Sequence, residues 1–512
     1  MIHVGIDLGT TFSKISHLGV TGAPSLFPDS GDSSAFQTPS VVYIDSRGCL
    51  VGNVVESLLE DNPDLPVVRF VKLQMGSTDS VYMDDKHRPW SPQAVSGLIL
   101  KKLKQDAEAF AYEDVGSAVI TVPAQFGHME RRATRDAGLL TGMQVSQIVE
   151  EPVAAATFYG ISSSQKEQTV FVYDLGGGTF DASILHCTQE GLYVLATEGS
   201  RTIGGKWFDE VIMGVAAEEF QRINGFDPRT DRKAESILRR VAHESKIKLS
   251  QPSKAQIQQM MVLAGKASEF LLTRSEFERL ISGLVKSTIE ICGRCLASAK
   301  LTWADIDRVL VVGGSTLVPL VQQSIQKESG KQGDQFVQRQ PHQAISFGAA
   351  HLAQSHNCND ATGCPKLVHQ IAPYHLGIRV RDPQSGKAKV QVLIPRNTAL
   401  PAERKVVFYT ARADQNRMMF EFVQTKGDDG SSLSLGHFAF GPIEQPRANY
   451  PVEVTAAYDE QGIVKITARD ESGREMQRLL AQGDENYTGG FYTDRMLVSE
   501  ATVNKLEDSF LR

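Results

Sequence analysis

The residues best placed to do chemistry are Asp174-Leu175-Gly176-Gly177-Gly178-Thr179-Phe180-Asp181. Short apolar runs rich in β-branched and aromatic residues flank them at 169–173 and 182–185, which predicts a hairpin with a three-glycine turn. Glycine permits positive φ and lets a ligand approach the backbone closely. Successive N–H groups in such a turn form an anion nest. Asp174 stands at its mouth, and a carboxylate repels phosphate unless a cation lies between them. The combination predicts a magnesium nucleotide rather than bare phosphate. The same device occurs in Ile6-Asp7-Leu8-Gly9-Thr10-Thr11-Phe12-Ser13. Two such turns predict two similar halves facing one nucleotide. A plain hairpin is the competing reading, and it explains one copy more easily than two.

Other candidates are weaker alone. Lys72 sits among apolar residues in 67–76, where a surface lysine at the end of an element is the simpler reading. Glu151-Pro152 places an acid and a proline at a helix start, which complements the helix dipole without any further role. Residues 199–206 resemble a phosphate-binding P-loop, but Gly205 stands where that motif needs lysine. Cys292 and Cys295 have C-x-x-C spacing inside a helical pattern with no second pair, so helix packing is expected. Cys358 and Cys364 flank a polar stretch and carry no clearer signal.

The positioning elements read as follows. Strands are expected at 2–6, 39–44, 119–123, 145–149 and 309–312, and helices at 52–60, 92–112, 125–142, 153–159, 235–250, 275–300 and 344–353. Arg131, Arg132 and Arg135 on the 125–142 helix are expected to form a solvated face. Near Ser355 the character changes. Residues 356–365 are polar and contain glycine and proline, a linker signal. Beyond them helical periodicity largely vanishes, and short alternating runs at 377–381, 389–393, 406–411, 418–424, 452–458 and 462–468 predict an all-β module. A short helix is expected at 497–511.

The chain has 512 residues, room for about two to four domains. Its net charge of −7, with no lysine or arginine block, argues against nucleic acid and anionic membranes as partners. No apolar run approaches the length needed to span a membrane, and the chain opens on a strand rather than a leader, so a cytoplasmic location with reduced cysteines is expected.

The sequence resembles the seventy-kilodalton heat-shock chaperone family, the DnaK type. The resemblance rests on GIDLGTTFS (5–13), TVPAQFGHMERRATRDAG (121–138), EEPVAAATFYG (150–160), VYDLGGGTFDASI (172–184), IGGKWFD (203–209), KIKLS (246–250) and VVGGSTLVP (311–319). It implies an α/β fold: an actin-like two-lobed ATPase domain of duplicated ribonuclease-H-like halves (1–357), a linker (358–372), an all-β sandwich that binds peptide (373–482), and a short tail (483–512). It implies slow hydrolysis of ATP to ADP with Mg2+, and a potassium site. Lys72 matches the catalytic lysine, which reverses the simpler reading above, and Glu151, Asp174 and Thr179 join it. Gly9, Thr10, Thr11, Gly176, Gly177, Gly178, Thr179, Gly204 and Gly205 match phosphate-side positions. Lys246, Ser250, Gly313, Gly314 and Ser315 match the adenosine side. Asp7, Glu151, Asp174 and Asp181 match positions around the metals.

The resemblance also implies that Pro123 and Arg131 relay the nucleotide state. Ile378, Phe408, Met418, Phe420 and Ile463 match a peptide pocket under an arch at Ala411, although a sandwich core is the competing reading. Unfolded or extended peptides, a J-domain co-chaperone and a nucleotide-exchange factor are the implied partners of a monomer. The sequence departs from the pattern at His243, Leu317 and His342, where looser adenine binding is expected, and at Arg381 in the arch. Gln370 in the linker 367–371 replaces an expected acid, and weaker coupling follows. No helical lid is expected in the residues that follow the last strand. A scaffold for one dedicated partner and a small-molecule kinase are the rival readings.

Overall fold

The computed structural model describes residues 1–160, 167–357, 367–381, 388–427 and 432–480. The expected helix at 497–511, the tail at 483–512, and Cys358 and Cys364 lie outside the described residues.

Two sheets carry the first part of the chain, and they share one design. In the first, Gln144–Glu150, Val115–Val122 and Ile2–Asp7 run parallel, and Ile2–Asp7 turns back antiparallel into Phe12–Leu18 and then Pro24–Leu26. In the second, Phe336–Val337, Arg308–Val312 and Gln168–Leu175 run parallel. Gln168–Leu175 then turns back into Phe180–Cys187 and Gly191–Ser200. Each glycine turn thus joins the central parallel strand of its sheet to the antiparallel one. The middles of the parallel strands in the second sheet are apolar runs, as in a parallel sheet covered on both faces. Val170, Phe171, Val172 and Tyr173 are all inaccessible to solvent, as are Val309 to Val312.

The helices Glu151–Phe158 and Ala344–Asn357 cross between the two sheets. A Cβ on Gly348 would stand 1.7 Å from Ala154 O, so only glycine allows this approach. Further modules cap the halves. The strands Gly48–Val51, Val41–Asp45 and Val67–Arg69 with the helix Asn53–Asp61 cap the first. The hairpin Gln256–Leu263 with Lys266–Thr273, and the helices Gly205–Asn224 and Arg232–Ser250, cap the second. The sequence reading missed this hairpin, whose apolar residues alternate only weakly with polar ones.

The last part is a sandwich of two four-stranded antiparallel sheets. One orders Ala388–Ile394, His375–Arg381, Met418–Thr425 and Leu433–Phe440; the other orders Ala402–Tyr409, Pro451–Tyr458, Val464–Asp470 and Glu475–Leu479. The strands Leu433–Phe440 and Glu475–Leu479 had no clear sequence signal. Leu376, Phe422, Phe438, Phe440, Val452, Val454 and Ile466 meet in its core. Cys292 and Cys295 are buried on the helix Arg274–Ala299, in keeping with packing.

Two expectations change. Within 358–372, Leu367–His369 forms a sixth strand on the second sheet, parallel to Gly191–Ser200. The supposedly solvated face of the helix His128–Leu139 is buried in part: Arg131 is 0% exposed and Arg132 5%, because the sandwich packs on it, whereas Arg135 is half-buried. Among the described residues, no helix is long and apolar enough to cross a membrane.

Candidate active site

A cleft of about 640 Å³ lies between the two halves. It is lined from one side by Asp7, Gly9, Thr10 and Thr11, and from the other by Asp174, Gly176, Gly177 and Thr179. The turns face each other closely. A Cβ on Gly177 would stand 2.3 Å from Thr11 Oγ1, and one on Gly178 2.6 Å from Thr10 Cγ2. Gly178 and Gly204 pack against one another behind the lining, and Gly205 N–H donates to Gly176 O at 3.0 Å. The second half's helix therefore begins directly on its glycine turn.

At the floor, Lys72 is buried rather than exposed, and Nζ donates to Glu151 Oε1 at 2.5 Å. Burial works against its charge, but Glu151, Asp7 and Asp174 outweigh it and leave the ammonium more firmly protonated than an ordinary lysine. Glu151 heads a buried helix, and its pKa is raised by burial against the pull of Lys72. Burial, then repulsion from Glu151, Asp181 and Asp7, raises Asp174 well above the ordinary carboxylate range. Asp181 is likewise pushed up to about 8, chiefly by burial. It lies beneath the cleft rather than on its lining, beside Gln125 and Gly199.

The donor set fits a hydrated cation. Four buried carboxylates, Asp7, Glu151, Asp174 and Asp181, outnumber the cations acting on them, Lys72, Lys14 (3.6 Å from Asp7) and Arg201. Asp174 Oδ2 and Asp181 Oδ1 have no hydrogen-bond partner. Among the described residues no three His, Cys, Asp or Glu side chains are grouped to hold a metal ion. Mg2+ keeps several of its waters when bound, so such a set can hold it without that grouping.

The far end of the cleft is lined by Lys246, Ser250, Gly313, Gly314 and Ser315, with the three departures His243, Leu317 and His342. Asp209 organises this wall: its Oδ1 forms an ion pair with Lys246 Nζ at 2.8 Å, and its Oδ2 lies 3.1 Å from His243 Nδ1. Ser315 Oγ donates to Gly176 O at 2.7 Å, tying this wall to the glycine turn.

From the second glycine turn the same sheet leads outward to the linker strand. His369 stacks on Tyr193, with centroids 4.8 Å apart. Gln370 is buried and hydrogen-bonded, not a mere interruption. Its Oε1 accepts from Arg131 Nη1 at 2.9 Å, and its Nε2 donates to Glu460 O at 3.1 Å and Ile148 O at 3.4 Å. Arg131 Nη2 donates to Glu150 Oε1 at 2.7 Å, in an ion pair neighbouring the cleft's Glu151. Sequence reasoning missed His128 and Glu150 here. His128 Nδ1 accepts from Val464 N–H at 2.8 Å, and its Nε2 donates to Leu480 O at 3.0 Å, both in the sandwich. Pro123 ends the strand beneath the helix His128–Leu139, and its carbonyl accepts from Phe126 N–H at 3.0 Å.

In the sandwich, Ile378, Met418 and Phe420 are brought together in the core, with the Phe408 ring 5.2 Å from that of Phe420. Ile463 lies apart, in the turn beside Gly462 that packs on Arg131, and Ala411 is exposed. The Arg381 side chain lies outside the described residues.

A model of the Hsp70 protein family matches residues 3–510. The chain is 36% identical over 489 residues to "Chaperone protein DnaK" of Thermotoga neapolitana, covering 94% of this chain and 80% of that one. It is 36% identical over 511 residues to the protein of the same name from Thermosipho melanesiensis, covering 98% and 82%. On the strength of a family match along nearly its whole length and of these relatives, the chain belongs to the DnaK-type seventy-kilodalton heat-shock protein family.

Proposed function

We propose that the chain is an ATP-dependent molecular chaperone, hydrolysing ATP to control its grip on unfolded or extended peptide segments. The observation that carries this reading is continuity. The sheet that supplies the Gly176–Gly178 turn also holds the linker strand Leu367–His369 at its edge. A change at the nucleotide thus acts on the element that joins the sandwich to the ATPase domain.

The two glycine turns bind the phosphates with backbone N–H groups, and Thr10, Thr11 and Thr179 add hydroxyls. Asp7, Glu151 and Asp174 would hold Mg2+, and Thr179 with Asp181 would line a potassium site. Magnesium, when bound with the nucleotide, offsets phosphate charge. Lys72 places a fixed positive charge where charge develops during phosphoryl transfer. Its proton is held by the carboxylates around it, so it acts as a charge and hydrogen-bond donor, not as a base. Lys246, Ser250, Gly314 and Ser315 hold the adenosine end. Ile378, Phe408, Met418 and Phe420 form an apolar floor for peptide beneath Ala411.

Differential affinity of the two nucleotide states for the docked arrangement then changes peptide affinity, and by reciprocity peptide changes the nucleotide cycle. A J-domain co-chaperone and a nucleotide-exchange factor serve a cytoplasmic monomer. The test is phosphate release with and without an unfolded peptide. Slow basal release accelerated by peptide supports the reading; release that no peptide alters removes the coupling.

A further inference from the structure

One cluster spans the cleft without lining it. Lys206 lies in the first turn of the helix Gly205–Asn224, and its N–H donates to Gly177 O at 2.6 Å. The indole N–H of its neighbour Trp207 donates to Gly178 O at 3.3 Å. From this anchor on the glycine turn, the Lys206 ammonium lies 4.8 Å from the centroid of the Trp207 ring and 4.9 Å from that of Phe70. Phe70 belongs to the other half. It converts the strand Val67–Arg69 into the helical turn Val71–Gln74 with φ at 58°, left-handed backbone that a bulky side chain rarely adopts. Such backbone persists only where its surroundings over-determine it. Two residues later comes Lys72, seated on Glu151. Leu73 adds a second crossing: its Cδ2 would lie 3.0 Å from a Cβ on Gly178.

We propose that Lys206 is a positioning residue: its ammonium, held between the rings of Trp207 and Phe70, latches the two halves together and fixes the Phe70 backbone so that Lys72 is presented to the reacting phosphate. The inference rests on the ATPase reading above. A cation over two half-buried rings is attracted by their electron-rich faces more strongly than one in open water. Arginine preserves that attraction, whereas methionine keeps an apolar stem and loses the charge. Lys206 is absent from the cleft lining, so its loss falls on the chemical step and not on nucleotide binding.

Single-turnover hydrolysis and equilibrium ATP binding, measured on the full chain, test this with Lys206→Met, Lys206→Arg, Phe70→Leu and the Met/Leu double variant. Lys206→Met and Phe70→Leu are expected to slow hydrolysis roughly five- to twentyfold. ATP affinity should stay within about twofold of the parent. Lys206→Arg should hydrolyse near the parental rate, and the double variant should be no slower than the slower single one, since both remove the same contact. Phe70→Leu carries the comparison if Lys206→Met folds poorly. Parental rates in Lys206→Met, an equal loss in Lys206→Arg, multiplying losses in the double variant, or a loss confined to ATP affinity would each overturn the latch. A parent that hydrolyses no ATP would overturn the ATPase reading and the latch together.

Discussion

His128 should make interdomain docking sensitive to acid. The helix His128–Leu139 is part of the ATPase domain, yet both ring nitrogens of His128 are used by the sandwich. Nδ1 must be unprotonated to accept from Val464 N–H, and a proton there would set two N–H groups against each other. Burial, and then the nearby Arg132 guanidinium, push the imidazole down to about 4 from its ordinary 6.5. When the sandwich undocks, the ring meets water and its ordinary pKa returns. Above pH 6.5 it is neutral in both states and contributes no pH dependence. As pH falls from 6.5 towards 4, only the undocked state takes up the proton, so docking is progressively lost. The effect is about tenfold in the docking equilibrium at pH 5.5 and approaches roughly 3 kcal/mol at low pH. Energy transfer between dyes placed on the two domains, with ATP present, reads the equilibrium from pH 8 to pH 5. Glu150, pushed up by burial against the pull of Arg131, also titrates in this interface, so the decisive comparison is with His128→Asn. That variant should flatten the profile. An acid shift of the same size in His128→Asn would refute the reasoning.

Lys72→Met should slow single-turnover hydrolysis by on the order of 10²-fold or more while ATP still binds, and near-parental turnover would remove Lys72 from the chemistry. Asp174→Asn should weaken ATP far more with Mg2+ than without it, as titrations in the two conditions would show; equal losses would make Asp174 a turn residue. Met418→Asp places a charge among buried apolar residues, so circular dichroism and peptide anisotropy should be read together. The expected outcome is loss of peptide binding; loss of the fold with it would mark Met418 as core, and normal peptide binding would defeat the pocket assignment.

The turns and their strands were legible because apolar runs, glycines and acids repeat in one order at 6–13 and 174–181. That periodicity describes single elements and not who covers them. Arg131 and Arg132 read as a solvated face because nothing local says that a sandwich hundreds of residues away packs on that helix. Gln370 read as a break in an apolar linker, and only the fold shows the three polar groups that satisfy it. Lys72 alone looked like a surface residue; its burial depends on Glu151, brought to it from another element. The hairpin Gln256–Leu263 with Lys266–Thr273 escaped because one face stays exposed at Met260, Val262 and Leu271, which breaks the alternation of apolar and polar residues.

The most direct measurement of coupling is peptide affinity with ATP and with ADP, in the parent and in Val368→Asp. Val368 lies on the linker strand and packs against the apolar cluster beneath the second sheet. A carboxylate there must be desolvated for the strand to dock, which should cost the docked state at least roughly tenfold. The parent should bind peptide more weakly with ATP than with ADP, and Val368→Asp should shrink that difference towards none. The same ATP-to-ADP ratio in both proteins would contradict transmission through this strand.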